Sequence, residues 1–310
     1  MVEGLPQRRR QGRGDRRPAR VLPGQGPSPR GQRRGAVTSP AGGAGRASGG
    51  RVFGLELWQL GLGLGAGVAC GFLNTAASSG SAVSLPILVL IGLDPVSANA
   101  TNRVPVLVGA ISATWSFHAK KAIHWALAAK VSTPAAVGSL AGASLAELLP
   151  SRQLGLVITA AVLAALVLLF SKVKQAIEQA SADVTRYGWR EAAIFFAIGA
   201  WLGFIVLDGA TYLLLALTLA VGLPLMHANA IKSAVLVPTT LVAMMLFSYK
   251  GHINWTLGAV MGAGSIVGAF LGARVATSPG ARKYVFWLLV ATILAELAHL
   301  AVHYVLGTGG

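Results

Sequence analysis

Charge is what this chain has least of. Only 12% of its 310 residues are Asp, Glu, Lys or Arg, while 54% are hydrophobic and the mean hydropathy is +0.63. A soluble domain covers its surface with charged residues over roughly a quarter of its length, so most of this surface must face lipid. Acidic residues are scarcer still, ten against 26 Lys and Arg. Cysteine is represented by Cys70 alone, which excludes an internal disulfide and any multi-cysteine metal site. No nucleophile–base arrangement, Walker loop or HExxH motif occurs, so neither chemistry on a substrate nor ATP-driven transport is expected. No cofactor is expected either.

What basic charge there is lies mostly in one place. The formal net charge is +16, and residues 1–51 supply twelve Arg against Glu3 and Asp15. This Arg-, Gly- and Pro-rich arm has almost no apolar residues to bury, so it is expected to be disordered. Its charge would suit anionic lipid, but no nucleic acid partner is expected. A secretory signal would place an apolar run just after a short basic region, and here the first such run begins near Val52.

Apolar stretches fall near 54–73, 82–93, 98–118, 125–148, 153–172, 190–207, 209–222, 228–249, 256–275 and 283–306. Spanning ~30 Å of hydrocarbon takes about 20 residues, so 82–93 and 209–222 are too short to cross. Each comes after a longer segment and a break, Asn74–Ser81 in the first case and Leu207–Thr211 in the second. The chain also repeats itself. Residues 91–145 set against 221–275, a shift of 130 without gaps, agree at sixteen of 55 positions, including Ala98-Asn99-Ala100 with Ala228-Asn229-Ala230 and Gly138 and Gly142 with Gly268 and Gly272. The fold class expected is an all-α membrane protein of two homologous helical repeats, each with a short broken or re-entrant helix, and 8–10 membrane segments. Its divisions are the arm 1–50, a first membrane repeat 51–172, a cytoplasmic linker 173–189 and a second membrane repeat 190–306.

Short-loop cations set orientation. Lys120 and Lys121, the 173–190 connection and the arm are all expected on the cytoplasmic side. That requires four crossings per half and a parallel duplication, in which Arg274, Arg282 and Lys283 sit badly; an inverted repeat with five crossings per half is the alternative.

Polar residues inside the apolar stretches are the candidates for function. A discontinuous membrane helix leaves backbone groups that lipid cannot satisfy, and its N-terminus attracts an anion. Asn74, Ser78, Ser79 and Ser81 bring polar side chains to the first break; Asp208 and Thr211 lie at the second. The next helix of each half opens with Asn99, Asn102 and Arg103, or with Asn229 and Lys232. A cation buried there costs at least ~2.5 kcal/mol unless it meets an anion or a wet cavity, or snorkels to the interface. Asp208 is expected to pair with Lys232 or Arg103, with proton coupling as its other role. Glu296, His299 and His303 share one helix face, but a metal site would need a second such motif and none exists, so no metal is expected. His118, His124, His227 and His252 read as helix-end residues.

These residues carry a resemblance. Ser78-Ser79-Gly80-Ser81-Ala82-Val83-Ser84-Leu85-Pro86, Gly92-Leu93-Asp94-Pro95 leading into Ala98-Asn99-Ala100-Thr101-Asn102-Arg103-Val104, and His227-Ala228-Asn229-Ala230-Ile231-Lys232 resemble the TauE/SafE family of putative sulfite and organosulfonate exporters, over about residues 55–305. The family implies secondary transport of small anions between two pseudo-symmetric halves. This sequence departs from its pattern where Ser and Ala replace much of the first Gly run, and where Leu-Asp-Gly-Ala-Thr-Tyr stands at the second break.

The function expected is therefore a secondary transporter, an exporter of small anions such as sulfite or organosulfonates, in a bacterial plasma membrane with its N-terminus cytoplasmic. The partners expected are the anion, protons as coupling ion, the lipid bilayer and a second copy in a homodimer. A passive ion channel and a non-transporting membrane scaffold are the alternatives.

Overall fold

The computed structural model describes residues 51–52, 55–148 and 187–276. The arm, segments 153–172 and 283–306, most of the 173–189 linker, Arg282, Lys283, and Glu296, His299 and His303 lie outside the described residues. The described chain is helical apart from a two-residue strand pair, Arg51–Val52 with Leu55–Glu56. Three of its helices are long and apolar enough to cross a membrane: α1 (Leu57–Ala76), α8 (Leu225–Tyr249) and α9 (Trp255–Ala276). The rest are α2 (Ser81–Leu90), α3 (Pro95–Thr101), α4 (Arg103–Ala119), α5 (Trp125–Leu148), α6 (Trp189–Phe204) and α7 (Gly209–Leu215), which runs on into a π turn, Ala216–Ala220. The expected helices that fall among the described residues appear within a few residues of their sequence limits.

One departure has a local cause. The stretch 98–118, expected as one helix, is interrupted at Asn102. Pro105 lacks the N–H that would bond the Thr101 carbonyl, which weakens the helix there. Asp94 starts α3 as its N-cap: the carboxylate accepts from the Val96 and Ser97 backbone, with Pro95 next. Partial burial works to raise the Asp94 carboxyl, but hydrogen bonds from Ser97 and Val96, with the charge of His252, outweigh it and hold it below the usual value. With a lowered folded-state pKa, this contribution is present above the unfolded carboxylate pKa and is lost as pH falls through the folded one. Asp94→Ala is expected to cost about 1 kcal/mol, read as a lower melting temperature at neutral pH that converges with wild type in acid.

The breaks fold each short helix back on the helix before it. Gly80 lies against the Cys70 carbonyl, and at the other end of α2 the Gln59 side chain donates to the Ile91 carbonyl at 3.4 Å. In the same way α7 returns along α6, with Gly209 against Leu202, and Leu217 in one core cluster with Phe195. Both helix pairs are therefore hairpins that finish at the end where they began.

Glycines then dock each hairpin on a helix of the other half. Gly67 and Gly71 of α1 sit on the Met261 and Ser265 carbonyls of α9, and Gly264 and Gly268 face back onto Leu64 and Val68. Correspondingly, Gly138 and Gly142 of α5 sit on Phe196 and Ala200 of α6, and Gly199 and Gly203 on Ala135 and Ser139. The missing Cβ atoms let backbones approach, the usual device of helix association in lipid. Sequence numbers rise together in both interfaces, so α1 runs parallel to α9, and α5 to α6. Since α8 ends where α9 starts, α1 and α6 begin at opposite ends of the bundle.

Among the described residues α1 and α6, which stand at equivalent places in the two repeats, thus run in opposite senses, where a parallel duplication expects the same sense. This inversion also removes the difficulty with Arg274: Lys120 Nζ donates to the Ala273 carbonyl at 3.3 Å, so Lys120, Lys121 and Arg274 share the end where α6 begins with Arg190. Leu57, the first residue of α1, lies at the other end of the bundle. Local charge counts could not reveal this, because it depends on how helices distant in sequence pair.

Candidate functional site

Each break is closed by its own chain before anything else reaches it. Asn74 Oδ1 accepts from the Gly80 N–H at 3.0 Å, tying the end of α1 to the start of α2. Ser78 and Asp208 turn the chain with φ of +67° and +55°, a left-handed conformation uncommon outside glycine. They are 130 residues apart, as are the other positive-φ pairs, Gly92 with Gly222 and Lys121 with Gly251.

The last carbonyls of α1 and α6 would be orphaned in an apolar interior. The cations supply their partners. Arg103, 1% exposed, donates Nη1 to the Leu202 carbonyl at 2.9 Å and Nη2 to the Gly203 carbonyl, while its guanidinium carbon lies 4.6 Å from the Phe247 ring centre. Asn99 donates to the Phe204 carbonyl at 3.0 Å and accepts from the Val206 N–H at 3.2 Å. In the other half Lys232, fully buried, donates to the Asn74 carbonyl at 2.7 Å and to Ser78 Oγ at 2.8 Å, and Asn229 donates to the Thr75 carbonyl at 2.7 Å. Each Asn–cation pair from one half therefore caps the broken helix of the other. Positive charge at a helix C-terminus is favourable through the dipole as well, which accounts for burial without an acidic partner. The pairing expected between Asp208 and either cation is not made.

The two breaks meet: Thr211 Oγ1 donates to the Ser78 carbonyl at 2.9 Å. Asn102 joins them through Ser84, whose hydroxyl donates to Asn102 Oδ1 at 2.6 Å, with the Gly80 carbonyl also within its reach at 3.2 Å. Ser81, buried, is the first residue of α2. All eleven candidate residues thus lie in or against the breaks. Among the described residues, the Ser79 hydroxyl, Asn102 Nδ2 and Arg103 Nε are buried donors without a hydrogen-bond partner, and Asp208 Oδ2 and Asn229 Oδ1 are buried acceptors without one. No group of His, Cys, Asp and Glu suited to a metal occurs among the described residues.

Sequence reasoning missed several parts of the site. Ser84 lies in the same Ser-rich run and is one helical turn beyond Gly80, a signal that was present. The carbonyls of Thr75, Leu202, Gly203 and Phe204 have none, since every residue type carries a carbonyl. Phe247 matches Phe117 in the 130-residue repeat, but nothing else in the sequence marks it.

Two broken helices whose polar breaks meet inside an apolar helical bundle define a membrane transporter. Comparison with known proteins agrees. Residues 63–297 match the family model described as sulfite exporter TauE/SafE, and the chain belongs to that family. It is 24% identical over 236 residues to the probable membrane transporter protein ORF9 of a Sinorhizobium species, covering 74% of this chain and 88% of that one. It is 26% identical to the probable membrane transporter protein YfcA of Escherichia coli K12, over 68% and 78% of the two chains, and 27% identical to a probable membrane transporter protein of Haemophilus influenzae, over 69% and 84%. No solved structure matches the chain.

Proposed function

We propose that this protein is a secondary exporter of small anions such as sulfite or organosulfonates, built from two copies of one unit in inverted orientation. One observation carries the reading: Ser79, Asn102 and Arg103 hold buried donor atoms with no acceptor, and a small oxyanion is the ligand that such donors satisfy. Ser78, Ser81, Asn99, Asn74, Thr211, Asn229 and Lys232 shape the breaks around them. Alternating exposure comes from one half moving against the other, and the coupling ion is the proton. The working unit is a homodimer in a bacterial plasma membrane. The end bearing Lys120, Lys121, Arg190 and Arg274 is the cytoplasmic one, because short-loop cations govern orientation more than a long arm does. Labelling of single cysteines placed at Lys121 and Gly92 from either side of sealed vesicles tests this; labelling of Gly92→Cys from the cytoplasm reverses it.

The function is tested by flux of sulfite and short sulfonates from proteoliposomes. Wild type is expected to give saturable flux. The Ser79 hydroxyl has no partner to lose, and the Asn102 side chain only the bond from Ser84. Ser79→Ala and Asn102→Leu are each expected to raise KM roughly ten- to a hundredfold, the worth of a hydrogen bond to a charged ligand. Flux that stays linear with concentration would identify a passive pore, and absence of any anion flux would end the reading.

A further inference from the structure

In transporters with discontinuous helices, the carbonyls at half-helix C-terminal ends are where a coupling Na⁺ is held. Here both sets are already engaged by the protein's own cations. Arg103 occupies the Leu202 and Gly203 carbonyls and Lys232 the Asn74 carbonyl, with Asn99 and Asn229 on the neighbouring ones. A metal cation arriving at either end would meet a fixed positive charge on the oxygens it needs.

The acid at the breaks is placed differently. Asp208 is 5% exposed, its Oδ2 has no hydrogen-bond partner among the described residues, and its backbone holds the left-handed turn that ends the second break. The equivalent residue 130 positions earlier is Ser78, whose hydroxyl is engaged by Lys232. The second half thus replaces an uncharged, satisfied group by an ionisable, unsatisfied one. Nearest the breaks, the titratable and charged groups on the elements around it are Tyr212, one turn along α7, Arg103 of α4, Lys232 of α8 and Cys70 of α1, which packs with Val206. His118, Arg190, Glu191, His227 and Tyr249 lie in the end turns of their helices. The α1–α2 break contributes no titratable or charged side chain, only the Asn74 amide and hydroxyls. Of these groups Arg103 and Lys232 already donate to helix-end carbonyls, whereas Asp208 Oδ2 is a carboxylate oxygen with no hydrogen-bond partner among the described residues.

We propose that Asp208 is the proton-carrying group of this transporter, taking up one proton at Oδ2 when the anion enters and releasing it when the anion leaves, with no part for Na⁺. The two thus cross together, outward where the outward anion gradient exceeds the inward proton gradient. This rests on the anion-export reading above. An anion brought between the breaks disfavours a second negative charge there, so it strengthens proton binding; by reciprocity the proton strengthens anion binding by the same factor. The proton comes from and returns to the water on whichever side the site faces, and nothing else is consumed.

Two measurements test this. In proteoliposomes, methanesulfonate, which does not titrate near neutral pH, is expected to accumulate against its gradient when a pH gradient is imposed and not when a Na⁺ gradient is. Asp208→Asn and Asp208→Ser, the latter copying the first half, should lower pH-driven accumulation by roughly tenfold or more, while eluting as folded protein. Separately, in membranes without added anion, a hydrophobic carbodiimide should modify Asp208 at mildly acidic pH and progressively less at alkaline pH, read by mass spectrometry. Accumulation driven by Na⁺, a pH response unchanged in both variants, or no pH-dependent adduct at Asp208 overturns the proposal. If wild type moves no anion at all, the export reading fails, and the carbodiimide titration still decides whether Asp208 exchanges a proton.

Discussion

Gly142→Leu is expected to prevent the bundle from assembling. A side chain at Gly142 would collide with the Ala200 carbonyl and with Phe204 N on α6. Both are backbone atoms, so no side-chain rotation relieves the clash, and the two helices must separate. Overpacking of a side-chain interior costs roughly 1–3 kcal/mol, and here the whole α5–α6 interface moves, so a loss beyond about 3 kcal/mol is expected. The same holds for Gly268→Leu at the Val68 carbonyl in the α1–α9 interface. The measurement is the yield of monodisperse protein in detergent and its denaturant midpoint. Gly61→Leu is the internal control: nothing lies within 4 Å of a carbon added there, and replacing a helical glycine gains up to about 1 kcal/mol of propensity. Equal tolerance at positions 61 and 142 would show that the close α5–α6 contact does not exist in the folded protein.

Arg103→Ala is expected to be the most damaging change of a single polar side chain. It removes two charge-assisted hydrogen bonds, to Leu202 and Gly203, each worth about 1.5–3 kcal/mol. It also leaves α6 carbonyls without partners where water does not replace them. The loss should therefore reach about 3 kcal/mol or more, seen as a lowered melting temperature, with transport lost alongside. Arg103→Lys should recover part of the stability, because Lys232 does the corresponding work in the other half with one ammonium group. Arg103→Ala with wild-type stability would mean that α6 is capped by something else.

How far the site could be read from sequence depends on the range of the interaction concerned. The breaks were legible because their cause is local: Ser78-Ser79-Gly80-Ser81 and Asp208-Gly209 interrupt apolar runs, and the helix after each is too short to span. The pairs Asn99 with Arg103 and Asn229 with Lys232 were legible as expensive polar groups in apolar surroundings. Their partners were not. A buried cation in a membrane suggested an anion, whereas the first partners it found are uncharged carbonyl oxygens at a helix end. Arg103 lies 99 residues from Leu202, and Lys232 lies 158 from Asn74. No pattern in the residues marks a carbonyl as the acceptor.

The sequence by itself determined that this protein lives in a membrane, that it is helical, and where its helices break, because hydropathy, length and glycine or serine punctuation act within a few turns of chain. Only the tertiary structure decided that α1 and α6 run in opposite senses, that each half caps the broken helix of the other, and that the Asp208 carboxylate keeps an oxygen without a partner among the described residues. Those outcomes depend on which backbone faces come within contact distance, and that is settled by glycine-lined surfaces pairing helices far apart in the chain.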